Sequence, residues 1–372
     1  MLHSTQQLNK GDLMKLLTTS VLALASTMAM AQDEGAFLDG KYSHLVHPKI
    51  STSMNKALAK NDVVGVISRQ SPVRSQAARG TCSIFSATAY LEGQLIAAKK
   101  FDSSIDLSEE WLQYIAVRGR TNDGSSAPTN FNAFYTYGMA TEETLPYIGE
   151  DWTEAYNPLK ETRCGHLKNE TANKACLVVH YDPKLLMMTD AQITLTTKDE
   201  DFISARKEAA AFKMKYLRPT SANYYVYDTN EVKELLAKGK PVILEVDFYY
   251  GAWNHRKADE YGIGRDMDLW SKGVVTAPEE GSMDVQESQK HPAGHSILVV
   301  GYDDNKIVKK KVKMADGTVK TFTYKGVYYF KNSWGTSAFG ANFEVDGQKF
   351  PGYGMMVYKY AHEQGSFFVL PQ

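Results

Sequence analysis

From Cys82 to Lys100 the apolar positions Ile84, Ala87, Leu91, Leu95 and Ala98 recur at three- and four-residue spacing, the period of a helix that buries one face. Cys82 opens that predicted helix. A second begins after Ser108, a residue type that caps helix N-termini, with Glu109 and Glu110 in the first turn and Leu107 placed to pack on Leu112. A third covers about residues 131–137 and stops at Gly138. Residues 150–228 give one helix, near 200–214, and no repeat or low-complexity tract. A short helix over 231–238 ends at Gly239; after Pro241 the run Val242, Ile243, Leu244, Val246, Phe248 reads as a strand. Further strands are predicted over 296–302 and 327–331, with a hairpin of 308–314 and 319–324 about Asp316-Gly317. Helices first and antiparallel strands second predict an α+β protein of two lobes, a helical one over about 75–228 and a β one over about 229–360, within one domain of 65–372. Residues 32–64 read as an N-terminal arm or short pro-segment, and the polar stretch to about 70 as surface.

Composition narrows the picture. With 372 residues, 43% of them hydrophobic, the chain can build a large core, and disorder is not the expectation. Its 42 Lys+Arg against 43 Asp+Glu give a net charge of -1, which offers no field for nucleic acid or an acidic membrane. The alternating Lys309, Lys311 and Lys313 read as a solvated strand edge. Near the start, Lys15 precedes an apolar run over 16–25 and the small residues Ala29-Met30-Ala31. That order predicts a signal peptide over 1–31, with 1–13 as an upstream extension and cleavage before Gln32. The run falls well short of the ~20 apolar residues of a membrane span. The expectation is therefore an exported protein, periplasmic or secreted, with no membrane segment in its mature form; a signal this short suits a bacterial one.

Export permits disulfides. Of the three cysteines, Cys164 and Cys176 lie close together in a polar segment and form the economical pair, with two free buried thiols as the alternative. Cys82 is left over. At the first turn of a helix a thiol meets free backbone N–H groups and the positive end of the helix dipole, which favour the nucleophilic thiolate. Six residues earlier stands Gln76, whose amide, with the Cys82 N–H, can bind an oxyanion. His295 follows Gly294 at the mouth of an apolar strand, where an imidazole can exchange a proton with the thiol. Asn332 can fix the ring tautomer, and Trp334 can shield that bond from water. His291 and His295 have a zinc-like spacing, but Pro292 and Gly294 break the helix it would need, so no metal is expected.

Five ordered stretches together resemble the papain and cathepsin family of cysteine peptidases. They are residues 72–87, which hold Gln76 and Cys82; Leu107-Ser108-Glu109-Glu110; Glu143-Thr144-Leu145-Pro146-Tyr147; residues 294–302, which begin Gly294-His295; and Lys331-Asn332-Ser333-Trp334-Gly335-Thr336. The resemblance implies a helical lobe and an antiparallel β-barrel-like lobe with a cleft between them. It implies Cys82 as nucleophile, His295 as base, Asn332 as its orienter, Gln76 in the oxyanion hole, a peptide or protein substrate and no cofactor. A monomer is expected. Two positions depart from the family: Ser83 stands where it has Trp, and Arg79 where it has a second Cys. Gly124-Ser125-Ser126 approximates the family's Gly-Gly pair that binds substrate backbone; Ser83, Gly294 and Trp334 complete the expected cleft wall. A catalytically silent peptide-binding module, or an acyl-transferring ligase, would use the same residues.

Overall fold

The computed structural model describes residues 45–50, 59–218 and 224–370; the predicted signal peptide and most of the N-terminal arm lie outside them. Among the described residues eight α-helices come first: α1 (Val63–Ile67), α2 (Cys82–Ala97), α3 (Glu109–Val117), α4 (Ala127–Tyr137), α5 (Pro158–Cys164), α6 (Glu170–Val179), α7 (Asp190–Thr196) and α8 (Glu200–Tyr216). Then come β1 (Tyr225–Val226), α9 (Thr229–Ala237) and β2 (Val242–Asp247). After an insertion holding β3 (Val274–Val275) follow β4 (Gly294–Lys313), β5 (Val319–Lys331), β6 (Glu344–Val345), β7 (Gln348–Lys349), β8 (Tyr353–Val357) and β9 (Gly365–Phe368).

The main sheet has the order β1-β9-β2-β4-β5-β8-β3 and is antiparallel except for the β3–β8 pair. With β1 and β3 at its two ends it is open, so the barrel-like closure expected of the β lobe is not formed among the described residues. The α+β architecture of two lobes stands. The four short strands read from the sequence are two long ones. β4 runs on through 303–307, where its register with β5 shifts, and then carries the solvent hairpin; Lys309, Lys311 and Lys313 are exposed and Lys310 points inward.

Helix α2 differs from the amphipathic expectation. Every residue from Cys82 to Gly93 is buried, because the helix runs between the helical lobe and strands β2 and β4 of the sheet. Helices buried on all sides belong to the interior of a large domain, and this one carries its first residue into the interlobe boundary. The stretch before it also departs from the surface reading: Val63, Val66 and Ile67 of α1 are core residues. A Cβ on Gly301 would lie 2.2 Å from Val63 Cγ2, so glycine there lets α1 rest directly on β4.

Residues 150–217 hold four α-helices and a short 3₁₀-helix (Pro183–Met187) where the sequence predicts one helix. Each short one starts on a capping side chain: Asn157 accepts from Leu159 N, Asn169 from Ala172 N, and Thr189 forms a capping box with Gln192. Cys164, at the end of α5, is disulfide-bonded to Cys176 of α6 with Cα atoms 5.7 Å apart. The bridge packs with Trp152 and Leu177 in a small cluster of its own. Closing a loop of that length contributes about 3 kcal/mol in the chain-entropy account.

Candidate active site

Cys82 is the first residue of α2 and the free cysteine of the chain. Its N-cap, Thr81, makes no side-chain capping bond, so the helix's first N–H groups are left to local backbone and to the thiol. The backbone N–H groups of Ser296, Ser83 and Cys82 itself face the sulfur and favour its anion. Ser296 directly follows His295, which stands on β4 opposite Val246 of β2. β4 thus brings the residue after His295 to the N-terminus of α2.

His295 Nε2 lies 2.8 Å from Asn332 Oδ1, at the end of β5. That bond makes Nε2 the protonated nitrogen and leaves Nδ1 as the acceptor. Nδ1 makes no hydrogen bond to the described residues. The indole of Trp334 stacks on the ring with centroids 4.6 Å apart, and Trp253, from the insertion after β2, meets it edge-on at 5.0 Å. Both indoles are fully buried, so water is kept from the His295–Asn332 bond on two sides.

Gln76 is tied into the boundary between lobes. Its backbone N–H donates to Ser333 O at 2.8 Å and its Oε1 accepts from Ser333 Oγ at 2.7 Å. Its Nε2 donates to Arg79 O at 2.8 Å, which leaves one N–H of the amide group. Gly124 sits at φ +104, a conformation that favours glycine. The adjoining Ser125 Oγ donates to Asn130 Oδ1, and Asn130 Nδ2 donates to Ser83 O at 2.8 Å. Ser126 is the N-cap of α4 but makes no side-chain cap; the carboxylate of Glu245 on β2 reaches across instead and accepts from Ala127 N at 2.7 Å. Ser125 is thus tied through Asn130 to Ser83, the residue after Cys82, and Gly294 opens β4 opposite Asp247.

The electrostatics are those of a closed site. Cys82, His295, Gln76 and Trp334 each have 0% relative exposure. Burial pushes the Cys82 thiol well above its usual range and the Glu245 carboxylate adds to this, while the surrounding N–H groups work against it. Burial holds His295 down at about 4 against the upward pull of its bond to Asn332. Burial thus disfavours the charged form of each group taken alone.

Sequence reasoning passed over three residues of this neighbourhood. Glu245 was legible as one of two acidic residues, with Asp247, within an apolar strand run. Trp253 lies in an aromatic-rich stretch with no motif of its own. His255, fully buried with its ring 6.1 Å from that of Trp334, gave no signal. The rejected zinc partner His291 stacks on Tyr261.

This arrangement is that of a cysteine protease of the papain type. The model of the papain family of cysteine proteases matches residues 62–343, and the chain belongs to that family. Among curated proteins it is 36% identical over 86 residues to cysteine proteinase 2 of Entamoeba histolytica, covering 22% of this chain and 27% of that protein. It is 28% identical over 165 residues to pro-cathepsin H of Mus musculus, covering 42% and 46%. The matched stretch thus spans less than half the length of these relatives. Among solved structures, xylellain, a cysteine protease from Xylella fastidiosa, is 15% identical over 92% of this chain and 97% of its own, with a TM-score of 0.49.

Proposed function

We propose that this chain hydrolyses peptide bonds by acyl transfer to Cys82. The observation that carries the reading is the oriented imidazole: His295 is held through Nε2 by Asn332, roofed by Trp334, and keeps Nδ1 unbonded beside the thiol's helix. Nδ1 takes the Sγ proton as sulfur attacks the carbonyl carbon, and the oxygen becomes an oxyanion facing the Cys82 N–H and the remaining Gln76 N–H. The C–N bond then breaks, His295 returns the proton to the leaving amine, and an acyl-thioester remains. Water, deprotonated by His295, attacks the thioester and releases acid and thiol. An added amine could replace water in that last step, and product analysis with such an amine separates hydrolase from ligase.

The complete burial of Cys82 and His295 favours one competing reading, a silent papain-like module. Alkylation of Cys82 decides between them. In the wild type, small-reagent alkylation at pH 7 is expected to exceed that of the His295→Ala variant by about 100-fold, the scale of general-base assistance. The variant's pH profile should shift upward, because its buried thiol has no proton acceptor left. Equal rates and equal profiles would leave the silent module standing.

We also propose that the protein is exported and loses residues 1–31, on the strength of Lys15, the apolar run over 16–25 and Ala29-Met30-Ala31. The intact mass of the exported protein is expected to begin at Gln32; a mass that retains the earlier residues would sink this.

A further inference from the structure

Arg79 lies in the turn between Gln76 and Cys82, yet its side chain is 1% exposed. The guanidinium is held from several directions. Nη1 donates to Glu110 Oε2 at 2.9 Å and to Ile148 O at 3.1 Å, and Nη2 donates to Val178 O at 2.8 Å. Nε faces Asp123 Oδ2 at 3.8 Å, beyond hydrogen-bond reach. Glu110 is in turn bonded to His180 Nδ1 at 2.7 Å, and Trp152 stacks on that imidazole. Although burial alone would raise it, His180 and Arg79 bring the Glu110 carboxyl down to about 2, so the pair stays charged at neutral pH. One side chain thereby links the turn before the nucleophile to α3, to the loop at 148 and to the end of α6.

The turn needs an anchor. Ala77 adopts φ +49, a left-handed conformation that costs a residue with a Cβ about 1 kcal/mol or more. Tyr147 Oη, which donates to Gln76 O at 2.9 Å, and Ala78 N, which donates to Gly149 O, steady its first half. The second half is held by Arg79, whose N–H donates to Gln76 O at 3.3 Å, and by Thr81 Oγ1, 2.7 Å from Tyr147 Oη. The Arg79 carbonyl is the acceptor that orients Gln76 Nε2, and a carbonyl is only as fixed as the residue that bears it.

We propose that Arg79 is a positioning residue for the oxyanion-binding amide of Gln76: its carbonyl aims the Nε2 group and its clamped guanidinium holds that carbonyl in place. The proposal rests on the peptidase reading. In the family this position carries a cysteine, so a buried ionic clamp here does the anchoring that a covalent link could do there.

The test is a double-mutant cycle between Arg79 and Gln76. Arg79→Met alone strands the Glu110 charge and can fail to fold, so Arg79→Met/Glu110→Gln, which removes both charges of the pair, is the working variant. Each change is made in the wild type and in Gln76→Ala, and rates are expressed per Cys82 labelled by an irreversible thiol reagent. In the wild-type background kcat for a peptide substrate should fall about 10- to 100-fold with KM within about threefold, the cost of a misaimed oxyanion donor. Iodoacetamide alkylation of Cys82 should stay within about twofold, since that reaction builds no oxyanion. In Gln76→Ala the same change should cost less than about threefold. Equal losses in both backgrounds, a parallel fall in alkylation, or full activity in a folded variant would each overturn the proposal alone. A wild type that cleaves no peptide would overturn the peptidase reading and take the proposal with it.

Discussion

Replacing Cys82 by alanine should lower kcat for peptide hydrolysis by on the order of 10⁵-fold or more, the scale seen when the nucleophile of a coupled catalytic set is deleted. The loss is large because the other members have no separate way to break the amide bond: His295 would have a proton acceptor but no acid to serve, and the Gln76 amide would have no oxyanion to bind. The fold should tolerate the change. Cys82 is buried at the first turn of α2 and makes no disulfide, and a free buried cysteine packs as a small apolar residue. Deleting one sulfur atom removes packing worth about 1 kcal/mol. The check pairs peptide turnover with the thermal midpoint of the same sample. Hydrolysis within tenfold of the wild type, in a sample free of contaminating peptidase, would remove Cys82 from the mechanism.

Much of this molecule was legible because its signals are local. The cap at Ser108 was readable from residue type, and in the structure its hydroxyl accepts from Trp111 N at 3.0 Å. The strand Val242–Asp247 and the stop at Gly138, which takes φ +84, were readable for the same reason. The meeting of His295, Asn332 and Trp334 follows from two motifs on neighbouring strands, because β4 and β5 pair with Leu298 opposite Lys331. What was not legible depends on long-range contact. The apolar spacing in α2 suggested one buried face, but nothing in residues 82–97 reveals that a sheet covers the other. The polar look of residues 59–70 hid α1, whose burial depends on a glycine more than 200 positions away, at Gly301. The short helices of residues 157–196 carry too few turns to show a period, although their capping residues Asn157, Asn169 and Thr189 were present to be read.

The closed state also explains why the site reading needed structure. A helix N-terminus argues for a lowered thiol pKa, yet burial and Glu245 drive Cys82 the other way. The same Glu245 caps α4 from across the cleft, next to the Gly124-Ser125-Ser126 segment.

Glu109→Gln should make the protein more stable at pH 8 while changing it little at pH 5. Glu109 is 4% exposed, and burial, with Glu92, Glu142 and Asp106 nearby, holds its carboxyl well above the ordinary 4.5. A raised folded-state pKa means that the folded chain keeps a proton the unfolded chain gives up. The stability that proton confers is fully present below about pH 4.5 and is lost as pH rises towards and through the folded value. Glutamine keeps the shape and never ionises. The variant's advantage should therefore widen by about 1.4 kcal/mol for each pH unit over which the folded wild type still holds the proton. The neighbourhood is what gives the group its leverage: Glu109, Glu92 and Lys331 line one cavity that Asn332 also lines, and burial pushes Lys331 down to about 8, so the cation that would steady an ionised Glu109 begins to lose its charge towards pH 8. Urea midpoints of both proteins at pH 5, 6.5 and 8 measure the effect, and a difference that stays constant across that series would mean Glu109 is already ionised at pH 5.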